Sequence, residues 1–335
     1  MSYHMYVSNS GSTFLSHFLM DESTGALQAQ PDIDMGGAPG ALATDSRKRW
    51  LFACMRSQKE FVTYAIDRST GGLRRLSGVP AGSAPYIYVD DTDGYLLATY
   101  YGDGAVSVHG IDADGNLSTE PLQWIETDTH AHSIQTDRSN RFAYVPHTMP
   151  ANAIYQFRFD AASGKLTPNE PPFVQPDTPE GPRHFVFHPT KDLCYSVNED
   201  GCTVSAHHFA ADQGTLTPFQ VISTLPPDTD MEGMSTAEIK MTHDGNHLYA
   251  SNRGHNTLAH YRVAADGSLE LAGRYETEAV PRFFEIDPTG RYVYSAGQNT
   301  GRLVSYRIGD DGVLAKLATY DVGEGPLWIQ FVQQV

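Results

Sequence analysis

PEGPRHFVFHPTKDLCYSVNE, residues 179–199, decides the fold, because its frame recurs along the chain while the charged residues near its two ends do not. Inside it the turn residue His188 precedes the apolar strand residue Tyr195 by seven positions. The same seven-residue step links Asp45 to Phe52, Asp90 to Leu97, Asp137 to Tyr144, Thr242 to Tyr249 and Asp287 to Tyr294. A turn residue followed by leucine closes each unit at Leu27, Leu73, Leu117, Leu166, Leu216, Leu269 and Leu314, with successive spacings of 46, 44, 49, 50, 53 and 45 residues. Such spacings fall in the range of propeller blades and exceed most helical repeats. Seven markers predict seven units.

Each unit reads as four strands: an apolar run such as ALATD, a turn, RWLFACM, a loop, EFVTYAID, a glycine turn and GLRRL. Tyrosine and phenylalanine are abundant, at 18 and 15 copies, and with valine, isoleucine and threonine they crowd these runs. DRSTGG, DADG, AASGK, AADG and DDG supply hairpin turns in which φ > 0 is easily adopted. No run of helical length has a 3.6-residue apolar period, so helix is expected to be minor.

The last segment, GEGPLWIQFV, looks like the start of a unit, whereas the N-terminal HMYVSNS and TFLSHFLMD look like later strands of one. Joining the ends completes a blade and removes the open sheet edges of an unclosed array. The expectation is an all-β, seven-bladed β-propeller, one domain over residues 1–335, closed by pairing of its terminal strands.

A formal net charge of −17 argues against nucleic acid or an anionic membrane as partner, since such binding relies on basic side chains neutralising phosphates. An anionic ligand would need a local positive pocket. The three cysteines, Cys54, Cys194 and Cys202, show no metal or disulfide spacing. The N-terminus lacks the basic and apolar regions of a secretory signal, and no apolar run is long enough to span a bilayer. These features point to a cytoplasmic protein, as a monomer or a homo-oligomer.

In a propeller, equivalent registers lie at equivalent heights around the central channel. Five residues before the turn marker stand Gly40, Pro85, His132, Arg183, Ala237 and Arg282, with Leu327 in the closing blade. Four residues after the strand marker stand Arg56, Tyr101, Thr148, Glu199, Arg253 and Gln298, with Ser10 in the first blade. Positions that only hold a blade together should carry similar residues in every copy. These vary, yet one register is always polar, and together they contribute four arginines, one glutamate and one histidine. That set forms an anion pocket with acid-base capability. Each arginine alone could equally be a structural ion pair. Among the 14 histidines, His132 stands out by register, whereas His130, His147, His184, His207, His208 and His255 are expected to be structural or exposed. No GxSxG, HExxH, Walker or GxGxxG motif is present, which argues against serine hydrolases, zincins and nucleotide binders.

GPRHFVFHP with YSVNE, AEIKMTHDGNHLYASNRGHNTL and VPRFFEIDPTGRYVYSAGQ resemble the lactonase family of seven-bladed propellers, over essentially the full chain. The family's best-known activity is that of 6-phosphogluconolactonase, and it also includes carboxy-cis,cis-muconate cyclase. The catalytic set of the cyclase, a histidine, two arginines and a glutamate, would fall on His132, Arg183, Arg253 and Glu199. The resemblance implies hydrolysis of a small anionic sugar-acid lactone; no cofactor is expected, and a single glutamate with no nearby Asp or Asn ligand pattern gives little support for a bound metal. His132, Glu199, Arg183 and Arg253 would be catalytic, and Arg56, Tyr101, Arg282 and Gln298 would bind substrate. A lactonising isomerase acting on an unsaturated dicarboxylate and a non-catalytic propeller scaffold are the alternatives. The residues leave open whether His132 or Glu199 is the base.

Overall fold

The computed structural model describes residues 2–335. It is built of strands alone among the described residues, arranged as seven antiparallel sheets. One blade comprises Pro182–Phe187, Leu193–Asn198, Thr203–Ala210 and Thr215–Ser223 in sequence order, and five others repeat this plan. The remaining blade is made from both ends of the chain: Pro326–Gln333 pairs antiparallel with Ser2–Asn9, which pairs with Phe14–Asp21. A short strand, Ile33–Asp34, extends that blade beyond the expected four. Ring closure thus occurs where the terminal half-units predicted it. No helix among the described residues is long and apolar enough to cross a membrane.

The repeat markers have distinct physical jobs. At the turn, the Asp287 carboxylate accepts the N–H groups of Arg291 and Tyr292 at 2.8 and 2.7 Å, and Asp45, Asp90 and Asp137 cap their turns in the same way. His188 substitutes an imidazole acceptor, taking the N–H groups of Thr190 and Lys191. An acceptor at this position satisfies turn amides that the hairpin buries.

At the strand marker the tyrosines join neighbouring blades. The hydroxyls of Tyr6, Tyr144, Tyr195, Tyr249 and Tyr294 donate to the carbonyls of Gly71, Gly214, Gly267, Gly312 and Gly25, each in the glycine turn of the adjacent blade. Gly267 is needed there for two reasons: its φ is +88°, and an added Cβ would sit 2.5 Å from Leu193 Cδ1. Phe52 and Leu97 occupy the marker in the other two copies and bring no hydroxyl. Tyr95 in part compensates, donating to the Ala162 carbonyl in the next turn.

The innermost strands are not regular. The ladder register shifts between Pro39 and Leu42, Pro182 and His184, Thr236 and Ile239, and Pro281 and Phe283. A bulge sets two residues opposite one and breaks the in-out alternation of side chains. In four blades it falls beside the channel register.

Candidate functional site

These bulged strands and the ends of the neighbouring strands enclose a cavity of about 430 Å³ at one end of the channel. Arg56, Tyr101, His132, Arg183, Glu199 and Arg282 all line it, so two registers scattered over some 230 residues of chain converge as expected. The convergence has a backbone cause. Arg56, Glu199 and Gln298, each just past the second strand, donate their N–H groups to the carbonyls of Ala38, Gly181 and Val280, just before the first strand. Arg253 is not part of the lining but contacts Glu199, which is, and Gln298, half-buried, also lies outside the lining.

Glu199 is held between two arginines. Arg253 donates from Nη2 to Glu199 Oε1 at 2.6 Å and to the Thr236 carbonyl at 2.7 Å. Arg183 Nε lies 3.0 Å from Glu199 Oε2, but its angle falls outside hydrogen-bond geometry, so this contact is an ion pair without a hydrogen bond. Burial would raise the Glu199 pKa, yet Arg183 and Arg253 outweigh it, and the carboxyl is held below its ordinary value. The group is therefore an ionised anchor.

Arg183 is 2 % exposed, and its Nη1 donates to the Ala237 carbonyl. Burial, more than the neighbouring cations, lowers its pKa to about 9, while Glu199 opposes the shift. Arg282 is different: no side-chain hydrogen bond or ion pair holds it among the described residues, and the same is true of Arg56. Burial first and Arg253 second lower the Arg282 pKa to about 10, which leaves it a cation near neutrality. Glu199 attracts it only at a distance, and a half-buried guanidinium with no direct partner favours an anion at this place. Gly40 makes room for Arg56, since a Cβ there would lie 3.0 Å from the Arg56 side chain.

His132 faces the same cavity, and its Nδ1 is 3.1 Å from His184 Nε2. Burial, then Arg183, holds its pKa well below 6.5, so the ring is neutral at pH 7. Nε2 has no hydrogen-bond partner among the described residues. Tyr101 packs edge-on to His132 at 5.7 Å and stacks on His130 at 4.2 Å. Beneath, Trp328 stacks on Phe283 at 4.4 Å and meets Tyr86 edge-on at 5.0 Å, and Trp328 also borders a second hollow of about 420 Å³ further down the channel.

His184 corrects the expectation that it is a bland histidine. It lines the cavity and contacts Glu238, whose Oε2 is 3.0 Å from His184 Nδ1. Lys240 pairs with Glu285 at 2.8 Å and helps hold Glu238 ionised. Neither His184 nor Glu238 was marked by strand alternation, because Arg183 and His184 are consecutive and regular strands send consecutive side chains to opposite faces. The bulge between Pro182 and His184 brings both to the cavity. The signal that could have found them is the pairing of HF and EI at matched positions in PRHF and TAEI, one on each of two neighbouring inner strands.

Residues 3–331 match the family described as Lactonase, 7-bladed beta-propeller. The chain is 34 % identical over 308 residues to the 6-phosphogluconolactonase of Xenorhabdus nematophila, covering 91 % of this chain and 92 % of that relative. It is also 34 % identical over 312 residues to the 6-phosphogluconolactonase of Erwinia tasmaniensis, covering 91 % of each. In fold it superposes on a periplasmic gluconolactonase of Pseudomonas aeruginosa with a TM-score of 0.91 at 24 % identity, covering 100 % of both chains.

Proposed function

The chain belongs to the seven-bladed β-propeller lactonase family, and from that premise we propose that it hydrolyses a small anionic sugar-acid lactone of the 6-phosphogluconolactone type, the whole chain acting as one propeller domain. The observation that carries this reading is the pairing, on one cavity wall, of an arginine, Arg282, that makes no side-chain hydrogen bond or close ion pair among the described residues, with an imidazole nitrogen, His132 Nε2, that has no hydrogen-bond partner among them. The first suits an anionic group and the second suits a proton.

Arg282 and Arg56 hold the anionic end of the substrate. Arg183 stabilises the negative charge that develops on the lactone carbonyl oxygen as water adds. Neutral His132 takes a proton from that water at Nε2 and returns it to the ring oxygen as the carbon–oxygen bond breaks. The products are a hydroxyl and a carboxylic acid, which loses its proton to solvent. Glu199 stays ionised and keeps Arg183 and Arg253 aligned. The cavity wall carries one carboxylate among the described residues, and two guanidiniums occupy it, which supports a reaction carried by side chains without a metal.

The test is hydrolysis of freshly generated 6-phosphogluconolactone and of unphosphorylated gluconolactone, with and without a chelator, by the wild type and by Arg183→Ala and Glu199→Ala. We expect turnover that survives the chelator, favours the phosphorylated ester and falls by roughly 10²–10³-fold in each variant. Turnover of neither lactone by a folded protein would overturn the reading, and cyclisation of carboxy-cis,cis-muconate instead would assign the site to the isomerase.

A further inference from the structure

Three buried groups form a chain of contacts that begins at the cavity wall. Glu238 Oε2 lies 3.0 Å from His184 Nδ1, and His184 Nε2 lies 3.1 Å from His132 Nδ1. All three residues are at most 4 % exposed and sit on the inner faces of three consecutive blades. Which nitrogen of each ring carries the proton follows from the partners. An ionised carboxylate only accepts, so His184 must donate from Nδ1. A neutral His184 then offers a lone pair at Nε2, and two donors converge there: His132 Nδ1–H, and Arg183 Nη1 at 3.3 Å. Burial keeps His184 neutral by lowering its pKa to about 4 against the pull of Glu238. Burial also opposes ionisation of Glu238, but His184 and then Lys240 outweigh it and hold the carboxyl at about 2.

We propose that Glu238 and His184 are positioning residues that fix His132 in the Nδ1–H tautomer, leaving Nε2 as the lone-pair acceptor that faces the substrate. The assignment rests on the reading of His132 as the base. It adds to that reading two residues that act through His132 and decide whether it can act. The arrangement also stabilises the imidazolium that forms when His132 takes a proton, because the chain ends in a fixed negative charge. Nothing needs to move along the chain for this: the rings are oriented before substrate arrives.

The backbone makes one substitution decisive. Glu238 Oε1 accepts the N–H of Ile239 at 3.0 Å. In Glu238→Gln the amide oxygen must keep that place, because an NH₂ group cannot accept a hydrogen bond, so the amide nitrogen faces His184 Nδ1. A donor there turns Nδ1 into an acceptor and moves the His184 proton to Nε2. His132 Nδ1 then becomes the acceptor, and its proton moves to Nε2, where the base should be. The side-chain volume is unchanged.

The experiment has two arms. In the first, the nitrogen shifts of His132 are recorded by NMR in ¹⁵N-histidine-labelled protein without substrate, with His132→Gln used to assign the signal. The wild type should show a protonated Nδ1 and an unprotonated Nε2, and E238Q should lose or reverse that pattern. In the second, kcat and KM are measured on the lactone that the wild type turns over. E238Q should lower kcat by roughly 10²–10⁴-fold, the range that a positioned general base contributes, and leave KM within about two-fold. A wild-type His132 protonated at Nε2, or an E238Q enzyme with kcat within three-fold of wild type, would overturn the proposal. If His132→Gln itself keeps full activity, the base assignment fails, and the NMR arm still decides whether the carboxylate sets the tautomer. Thermal melting of E238Q separates a lost fold from a lost tautomer, and His184→Asn gives a second route to the same loss of kcat.

Discussion

The joints between blades and the wall of the cavity are made by the same repeat and treat polar groups in opposite ways. At the joints every tyrosine hydroxyl named above has one carbonyl to meet, within 2.7–3.0 Å, and the five copies are nearly interchangeable. At the wall the equivalent registers carry arginine, glutamate, histidine or tyrosine, and the side chains of Arg282 and Arg56 and His132 Nε2 make no hydrogen bond among the described residues. The joint satisfies each group within the protein, which yields stability. The wall withholds satisfaction, which creates affinity for something that is not protein. Regular second strands build the first, and bulged inner strands together with the residues just past the second strands build the second.

Arg282→Ala probes the wall most sharply. Removing the unpartnered guanidinium should raise KM for an anionic lactone by roughly 10²-fold, consistent with loss of a charge-assisted contact, while leaving thermal stability equal to or above wild type. Steady-state kinetics and a melting curve check both halves. A fall in stability with KM unchanged would mean that Arg282 belongs with the joints.

Acid separates the two regions next. The joints contain nothing that titrates near neutrality, since burial raises the pKa of tyrosines such as Tyr195 and Tyr249. The buried histidines couple stability to pH instead: burial lowers His184 to about 4, and His207, further out in the same blade, to about 4 as well, while the unfolded rings titrate near 6.5. A histidine with a depressed folded pKa contributes stability above its unfolded value near 6.5 and loses it as pH falls towards the folded value. Between pH 6.5 and 5 the unfolding free energy should therefore fall by roughly 1 kcal/mol per pH unit for each such ring. Denaturant unfolding at several pH values measures the slope, and a flat profile over that window would contradict the burial of neutral rings. Tyr195→Phe should leave the slope unchanged.

The smallest expected effect lies at a single joint. Tyr195→Phe leaves the Gly267 carbonyl without its donor and should cost about 1–2 kcal/mol of stability, with kcat and KM unaltered. Because Phe52 and Leu97 already occupy this register in two blades, the ring tolerates a missing hydroxyl, and one joint should not unfold it. A large loss of activity in this variant would show that joints and wall are coupled.

Much of this was legible in the residues. Six Asp-, Thr- or His-to-strand steps and seven turn residues followed by leucine set the number of blades, because turn chemistry and ladder length are local. The half-units at the two ends announced the closing blade. Arg183, Glu199, Arg56, His132, Tyr101 and Arg282 could be collected because register fixes height on a ring and the chain closes that ring with regular spacing. Gln298 shows the limit: it shares the register and even the backbone contact to the preceding strand, yet its side chain lies off the wall. Register places a Cα, and local geometry aims the side chain.

The sequence by itself determined the repeat, the all-β architecture, the closure and the set of charged residues brought to one end of the channel. Only the tertiary structure decided which of those charges are spent on each other and which are free. Glu199 could have been read as a base until two arginines were seen to flank it, and His184 could have been read as filler until a bulge turned it towards His132 and set Glu238 behind it. The reason is physical: turns, strands and repeats follow from neighbours along the chain, whereas the protonation of a buried ring follows from neighbours across three blades. Those neighbours exist only once the ring has closed.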